Sequence, residues 1–400
     1  MSGHLADSRR FVVPSIRQLG GTFKMPVVGV RDVTCRLIQI GTGNQGEAWC
    51  REFLPPNVED DTVDVVAAVD VNDDELTNAV DALSLSADRC YTDAETAMRE
   101  READAVALVV PPQARPELVS LAVEYDLDVL AEKPLADSLE AALEIVELVT
   151  ETETKLGVTM SHRFRRDVTT LRRLIRSDEY GPVDYLYGRY AVNARSRGSW
   201  AGERLYDFEP HPLLIDGAIH HLDLLADIAG ERVETVFCRS WNPSYSDFAG
   251  DPNAVVQLGM ENGATIAYEG LNTAATSFNG WWSERVRANC QDASLVLDDG
   301  DLRRFPYDRA AENCLGHTSL DQGEPVALES RDKWGNAWLV EQFAEWCDGG
   351  EPMETNARAN LRTMALVFAA IESAETGDAI RVEEFLAEHL DDRSPITPRR

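Results

Sequence analysis

The alternation of short apolar runs with helical patterns in the first half of the chain constrains the fold most. Apolar strand patterns occur at residues 36–40, 63–70, 104–110, 128–132 and 154–160. Helical patterns lie between them, for example at residues 73–83 and 114–125. Strands rich in Val, Ile, Leu and Ala that alternate with helices indicate a parallel sheet buried on both faces. The sequence therefore predicts an α/β Rossmann fold, a doubly wound parallel sheet, over residues 34–155.

A glycine-rich turn follows the first of these strands directly. Residues 41–46 read GTGNQG, and a helical stretch follows them. In this pattern the glycines permit a tight turn, close approach of a pyrophosphate and helix–strand packing. Asp70 ends the second strand, where a carboxylate can bind a ribose 2′-OH and repel a 2′-phosphate. We therefore predict NAD rather than NADP as cofactor; a glycine turn without a ligand is the alternative.

Two features lie at the carboxyl ends of predicted strands, where open parallel sheets bind ligands. One is VVPPQ at residues 109–113, which contains Pro111, and the other is AEKPL at residues 131–135. The lysine of AEKPL, Lys133, is notable because the sequence contains only four lysines. Its position predicts that it faces the cofactor crevice. The alternative is a strand-end lysine that extends into water.

The second half of the chain has a different pattern. Strand patterns follow one another at residues 183–193, 231–241, 253–260, 264–271, 283–291, 293–299 and 301–307. Short glycine-containing connections between them are typical of hairpins. Helices are predicted at residues 168–177, 336–350 and 356–377. We therefore predict an α+β domain with a large, mainly antiparallel open sheet over residues 156–385, whose C-terminal helices can pack back on the Rossmann domain. Residues 1–33 are a predicted extension and 386–400 a tail.

Three ionisable residues are predicted to share one face of a helix at residues 213–230. Asp216, His220 and Asp223 stand at positions i, i+4 and i+7. A histidine beside a carboxylate is typical of a general base held in one tautomer. One alternative is a histidine satisfied within the core. Another is a metal site that uses His211, His220, His221 and the neighbouring acids, but the chain has no H-E-x-x-H or similar pair, and we predict no metal ion.

The charge balance excludes some classes of partner. The chain of 400 residues has 70 acidic and 38 basic residues, a net charge of −32. Dispersed acids with Arg favoured over Lys suggest adaptation to high salt, where screening relieves repulsion; an ordinary acidic protein is the alternative. The lack of a basic stripe argues against binding to nucleic acid or a membrane surface.

Cysteine usage and the N-terminus indicate a cytoplasmic location. The seven cysteines are scattered without C-x-x-C spacing, which argues against a disulfide framework and a cysteine zinc site. No apolar run is long enough to span a membrane. Residues 8–13, SRRFVV, resemble a twin-arginine export signal, but no apolar segment follows them.

Together these features resemble the Gfo/Idh/MocA oxidoreductases over about residues 34–385. The resemblance rests on the glycine turn, Asp70, and the segments VVPP (109–112), EKPLA (132–136), GVTMSHRF (157–164), DGAIHHLD (216–223) and AAIESAETGDAIRV near the end. It departs from the family at two points. Arg115 stands where a histidine is frequent, and the segment at residues 163–166 lacks the usual proline. Both departures bear on substrate contacts rather than on hydride chemistry.

The resemblance implies an NAD-dependent dehydrogenase that acts on a sugar, polyol or inositol. It implies that His220 is the general base, that Asp216 orients its imidazole, and that Lys133 binds the same substrate oxygen. The expected cofactor contacts are Gly41, Gly43, Asn44, Gln45, Gly46, Asp70, Pro111, Glu132 and Lys133. The expected substrate contacts are Arg163, Trp200 and Asp223.

Other expectations concern the pocket rim, the assembly and rival activities. Residues 195–211 are a predicted rim in which Arg195, Trp200 and Tyr206 meet substrate; a solvated loop is the alternative. A homodimer or homotetramer through the C-terminal sheet is expected. The rival activities are an NAD-dependent lyase or glycosidase with transient oxidation, and a non-catalytic NAD-binding regulator.

Overall fold

The first sheet consists of six strands that run parallel to one another. They are β1 (Cys35–Ile40), β2 (Val63–Val69), β3 (Cys90–Tyr91), β4 (Ala105–Leu108), β5 (Asp128–Ala131) and β6 (Leu156–Val158). Their order is β3-β2-β1-β4-β5-β6, so the winding direction reverses beside β1. This confirms the predicted parallel sheet. The sequence pattern did not indicate β3, which has only two residues.

The computed structural model describes residues 34–198, 202–208, 210–310 and 315–391. The helices of the first half are α1 (Gln45–Ala48), α2 (Pro55–Glu59), α3 (Leu76–Leu83), α4 (Ala94–Glu100), α5 (Arg115–Glu124) and α6 (Leu139–Glu151). Short 3₁₀ turns occur at Asp73–Glu75, Ala87–Arg89 and Pro112–Ala114, and a π-helix at Trp49–Phe53. All four residues of β4 are fully buried, as expected of a sheet covered on both faces.

The second sheet has ten strands and is mainly antiparallel, which confirms the predicted class. Its strands are β7 (Val183–Asn193), β8 (Val233–Trp241), β9 (Asn253–Met260), β10 (Thr265–Leu271), β11 (Thr273–Phe278), β12 (Arg285–Cys290), β13 (Ala293–Asp298), β14 (Asp301–Pro306), β15 (Glu324–Pro325) and β16 (Ile380–Arg381). Their order is β15-β14-β13-β12-β7-β10-β9-β8-β16, with β11 paired to β7. Only the β7–β10 pair of this sheet is parallel within the described residues.

Helices cover one face of this sheet and also reach the first one. They are α7 (Arg166–Arg176), α8 (Ile219–Ala229), α9 (Gly335–Cys347), α10 (Ala357–Thr376) and α11 (Val382–Asp391), with 3₁₀ turns at Ser161–Phe164, Glu203–Asp207 and Leu320–Gln322. Helix α8 lies close to β7, since a Cβ at Gly188 would be 2.5 Å from Leu225 Cδ1. Helix α9 places Phe343 in one apolar cluster with Trp49.

The segment predicted as one α-helix at residues 213–230 has two parts. Leu213–Ala218 is a π-helix, and α8 follows it. A π turn takes up more residues than an α turn, so the face predicted for Asp216, His220 and Asp223 does not lie on one continuous α-helix. The predicted stop is confirmed, because Gly230 ends α8 with φ of 77°.

Two general features of the described residues bear on the class of protein. None of their helices is both long and apolar enough to cross a membrane. The six cysteines within the described ranges are free thiols.

Candidate active site

The glycine-rich turn lies between β1 and α1 and leaves no space for side chains at two positions. Gly41 has φ of 90°, and a Cβ there would lie 2.1 Å from the carbonyl oxygen of Val109. A Cβ at Gly46 would lie 2.3 Å from the Gly41 oxygen. Asn44 and Gln45 are exposed. The turn therefore offers bare backbone at the carboxyl edge of the sheet, which fits the pyrophosphate of a dinucleotide.

Asp70 is fixed against this turn by backbone donors. Its Oδ2 accepts hydrogen bonds from Thr42 N at 2.8 Å and Gly43 N at 3.3 Å. Its Oδ1 accepts one from Asn72 N at 2.9 Å. The carboxylate thus stands beside the glycines, at the end of β2, where the sequence predicted a ribose contact.

Glu132 joins the glycine-turn helix to the end of β5. Its Oε1 accepts hydrogen bonds from Trp49 Nε1 at 2.9 Å and from Gln45 Nε2 at 3.4 Å. Pro111 lies on the neighbouring strand end and precedes the 3₁₀ turn at Pro112–Ala114. The predicted cofactor contacts of β1, β4 and β5 therefore meet at one edge of the sheet.

Arg115 holds the backbone at this edge of the sheet. The side chain is buried, and its Nη2 donates to the carbonyl oxygens of Val110 at 2.8 Å and Lys133 at 3.3 Å. Burial lowers the pKa of Arg115 to about 10, against the attraction of Glu132. The arginine that departs from the family pattern thus holds the backbone of the lysine segment.

Lys133 forms an ion pair with Asp216. Its Nζ lies 3.1 Å from Asp216 Oδ1 and donates to the Asp216 carbonyl oxygen at 2.9 Å. Both side chains are partly exposed, at 14% and 23%. The structure therefore brings the two predicted catalytic residues together, but Asp216 holds the lysine rather than the imidazole that we expected it to orient.

His220 lies next to this pair in an apolar and aromatic setting. The residue is 3% exposed, and its Nδ1 has no hydrogen-bond partner among the described residues. Its ring stacks on His162, with centroids 4.3 Å apart. Burial lowers the pKa of His220 well below the ordinary value, and the Lys133 charge lowers it further. The imidazole is therefore neutral at neutral pH and able to accept a proton.

Two tryptophans that sequence reasoning missed cover these residues. Trp281 lies 6.0 Å from Lys133 Nζ, measured to the ring centroid, and 5.5 Å from the His220 ring. Trp282 stacks on His162 at 4.6 Å. Trp281 and Trp282 are 39% and 45% exposed. Trp282 has φ of 68°, a strained conformation for a bulky residue that is most often found at functional sites.

The predicted substrate contacts Arg163 and Asp223 pair with each other instead. Arg163 Nη2 donates to Asp223 Oδ1 at 2.5 Å, and its Nε contacts Oδ2. Thr363 Oγ1 also donates to Asp223 Oδ1. Because both oxygens are engaged and Asp223 is 2% exposed, the geometry favours an ion pair that holds the fold over a substrate contact.

The structure also corrects part of the substrate rim predicted at residues 195–211. Tyr206 is fully buried, and its hydroxyl donates to the carbonyl oxygens of Ala194 and Ser196. It therefore belongs to the core rather than to a rim. Arg195 stacks on Tyr245 at 5.2 Å. Trp200 lies outside the described residues.

Comparison with known proteins finds two family models that match the chain. A family model described as an oxidoreductase family with an NAD-binding Rossmann fold, GFO_IDH_MocA, matches residues 36–160. A model of the GFO/IDH/MocA C-terminal domain matches residues 168–296. The two models together match more than half of the chain.

Similar proteins span almost the whole of the described chain. A protein of Sinorhizobium fredii, y4oX, is 40% identical over 357 residues, 88% of this chain and 97% of that protein. An inositol 2-dehydrogenase of Pseudarthrobacter chlorophenolicus is 25% identical over 356 residues, 88% and 96%. The structure of an inositol dehydrogenase homolog from Azotobacter vinelandii, complexed with NADH and myo-inositol, matches with a TM-score of 0.71 at 20% identity, covering 87% of this chain and 97% of that one.

Proposed function

Because the chain belongs to the GFO/IDH/MocA family of NAD-binding oxidoreductases, we propose that it interconverts an alcohol and a ketone on a sugar, polyol or inositol. The observation that carries the proposal is the placement of Lys133 Nζ, held by Asp216 beside the buried ring of His220. These groups stand at the sheet edge that also bears the glycine turn. An inositol 2-dehydrogenase among the relatives favours a cyclic polyol as substrate.

The residues of this edge have complementary roles in such a reaction. NAD, when bound, accepts the hydrogen and both electrons of the carbinol C–H bond as a hydride. His220 takes the hydroxyl proton as general base, since its imidazole is neutral. Lys133 donates a hydrogen bond to the same oxygen and stabilises its developing negative charge. Asp216 keeps the Lys133 ammonium in place, which replaces its predicted role on the His220 ring.

Trp281 is the best-placed surface for a substrate ring. It is partly exposed and contacts Lys133 and His220, so the C–H face of a cyclic polyol on the indole would bring a hydroxyl to both residues. This role takes the place of the contact predicted for Asp223.

Asp70 supports a preference for NAD over NADP. Its carboxylate is fixed at the end of β2 by Thr42 and Gly43, where a 2′-phosphate would meet a negative charge. We expect Asp70→Ser to lower the ratio of kcat/KM with NAD to kcat/KM with NADP by about tenfold. The reason is that the substitution removes one charge repulsion against the 2′-phosphate. An unchanged ratio in that variant would remove Asp70 from cofactor discrimination.

We also propose a homodimer or homotetramer through the open face of the second sheet. Phe237 on β8 and Val255 on β9 are apolar, neighbouring and 44% and 43% exposed. Light scattering at several salt concentrations tests this, and a monomer throughout would contradict it. A cytoplasmic location and adaptation to high salt stay predictions from composition.

The experiment for the reaction is a panel of sugars, polyols and inositols, assayed with NAD in molar KCl by NADH absorbance. We expect turnover with at least one cyclic polyol, and turnover at least about 10²-fold slower in Lys133→Met. Tight NAD binding without turnover on any member of the panel would contradict the proposed reaction.

A further inference from the structure

Three buried residues from separate segments converge beside the proposed catalytic groups. His162 comes from the 3₁₀ turn at Ser161–Phe164, His221 from α8, and Glu284 from the residue before β12. One ligand atom from each lies within 4.8 Å of the other two, and all three residues are buried. We refer to them as the His-His-Glu cluster.

Distances within the His-His-Glu cluster match those between ligands of one metal ion. Glu284 Oε1 lies 3.4 Å from His162 Nδ1 and 3.3 Å from His221 Nε2. Two tetrahedral ligands at ordinary Zn–N and Zn–O bond lengths stand about 3.3 Å apart. The His221 contact is also a hydrogen bond, but the His162 contact is not, because both ring nitrogens of His162 lack a hydrogen-bond partner among the described residues.

The surroundings of His162 leave only its ring edge available. His220 stacks on it at 4.3 Å with an interplanar angle of 19°, and Trp282 at 4.6 Å with 27°. A metal ion binds an imidazole in the ring plane, so this stacking does not obstruct it. A side chain with 1% exposure and two unpartnered nitrogens is costly unless a ligand satisfies it.

The other two members are oriented as metal ligands usually are. Tyr268 OH lies 2.7 Å from His221 Nδ1 and so directs Nε2 to the cluster. Arg165 contacts Glu284 Oε2, while Oε1 faces the histidines and accepts a hydrogen bond from Trp282 N at 3.2 Å. Such outer hydrogen bonds fix the tautomer and the rotamer of metal ligands.

The local charge also favours a cation. The Arg165 guanidinium forms ion pairs with two buried carboxylates, those of Asp167 and Glu284. The two carboxylates exceed the one guanidinium by a single negative charge, which a divalent ion at the His-His-Glu cluster would offset.

We propose that His162, His221 and Glu284 bind a divalent transition-metal ion of the Zn²⁺ type. Three protein ligands leave a position for water or a ligand oxygen. The ion would tie the loop that bears Trp281 and Trp282 to α8, and so fix the wall beside Lys133. The metal site considered from the sequence used His211, His220 and His221, of which only His221 belongs to this cluster. The sequence prediction of no metal ion did not consider His162 and Glu284, which lie far apart in sequence.

His211 provides a matched control. It is also buried near carboxylates, with Nδ1 4.0 Å from Asp251 and Nε2 3.5 Å from Glu375. The two acids lie beside different nitrogens of the ring. A single ion therefore could not be coordinated by His211 and both acids at once. We expect His211→Ala to leave metal binding unchanged.

The test uses the full chain, stripped with a chelator and dialysed against micromolar ZnCl₂ or CoCl₂. We expect about one ion per chain by elemental analysis and a tetrahedral Co²⁺ visible spectrum. His221→Ala and Glu284→Gln should bind Zn²⁺ at least about tenfold more weakly. No stoichiometric ion in the unmodified chain, or unchanged affinity in folded His221→Ala, would overturn the proposal. The Co²⁺ spectrum is recorded on the unmodified chain, so it does not depend on whether a variant folds. NAD binding by the metal-stripped chain is measured separately, so that a failure of metal binding can be distinguished from a failure of the proposed reaction.

Discussion

Two buried polar clusters meet on helix α8 and differ in how completely their atoms are paired. In the first, Asp227 faces Arg163 at 3.2 Å, Arg172 at 2.8 Å and Arg176 at 2.9 Å, while Asp223 binds Arg163 and Thr363. We call these residues the closed network; within the described ranges, its two buried atoms without a hydrogen bond, Arg172 Nε and Asp227 Oδ2, face each other in the 2.8 Å ion pair. The second contains His162 and His220, whose ring nitrogens include three without a hydrogen-bond partner in the described structure.

We infer from this difference that the closed network stabilises the fold, whereas the two histidines serve ligand binding or catalysis. Although burial raises it, the pKa of Asp227 is held below the ordinary value by the three arginines, so its charge is balanced locally. The histidines have no such balance and are kept neutral by burial. Buried polar atoms left unpaired in a native structure need a functional explanation. Changes in the closed network should therefore alter stability, and changes at the histidines should alter chemistry.

The largest effect is expected from His220→Asn. Loss of the general base should lower kcat by about 10³-fold, while the melting temperature stays near that of the unmodified chain. Steady-state kinetics and thermal unfolding measure the two quantities. His211→Asn, a change at a buried histidine outside the cluster, should keep kcat within about twofold. A His220→Asn variant with near-normal kcat would remove His220 from the reaction.

The opposite outcome is expected from Asp223→Asn in the closed network. The change leaves the buried Arg163 guanidinium without its bidentate partner, which costs about 3 kcal/mol of unfolding free energy. Denaturant unfolding measures it, and kcat of the folded fraction should be nearly unchanged. Asp207→Asn breaks an exposed ion pair with Arg197 and should have no measurable effect. A large loss of kcat without destabilisation would return Asp223 to the substrate site.

Lys133→Arg tests whether a compact ammonium is required. Arginine keeps the charge, but its planar guanidinium cannot place one nitrogen between both Asp216 oxygens and the substrate. We expect NAD affinity to persist and kcat to fall about 10²-fold. Lys155→Arg is the control, because Lys155 directly precedes β6, at the opposite edge of the sheet from Lys133, where its Nζ binds the Cys347 carbonyl at 3.0 Å. Near-normal turnover of Lys133→Arg would exclude Lys133 from the catalytic set.

The smallest effect concerns pH. His220 must be neutral to accept a proton, and burial with the Lys133 charge holds its pKa below the ordinary value. Activity is therefore lost only as pH falls through that lowered pKa, and kcat/KM should be flat from about pH 6.5 to 8. Lys133→Met removes the repulsion and should move the acid limb to higher pH. An acid limb centred above pH 7 in the unmodified chain would contradict a neutral His220.

Most of the fold could be predicted because periodicity reports it directly. Strand β7 and the ends of α10 follow from alternation and from the cap residues Asn356 and Gly377. The π-helix at Leu213–Ala218 could not be predicted, since its sequence has ordinary helical spacing. Asp216, within this π-helix, pairs with Lys133, whereas Asp223 on α8 pairs with Arg163.

The candidate site was harder to predict because its members are remote in sequence. Lys133 and His220 could be found from strand ends and motif spacing. Glu284 lies within a segment that reads as a strand, and Trp281 and Trp282 carry no motif. The adjacent tryptophan pair before an acid could have indicated Trp281, Trp282 and Glu284. The histidine beside Arg163, in the segment at residues 157–164, could have indicated His162.

Hydride transfer at the Lys133–His220 edge is tested most directly by following the hydrogen itself. A carbon-deuterated polyol that the panel identifies is incubated with NAD, and the reduced cofactor is analysed by mass spectrometry. We predict deuterium in the NADH of the unmodified chain, at a rate reduced about 10³-fold in His220→Asn. Reduced cofactor without deuterium, or label returned to a cleaved or eliminated product with no net NADH, would contradict a dehydrogenase.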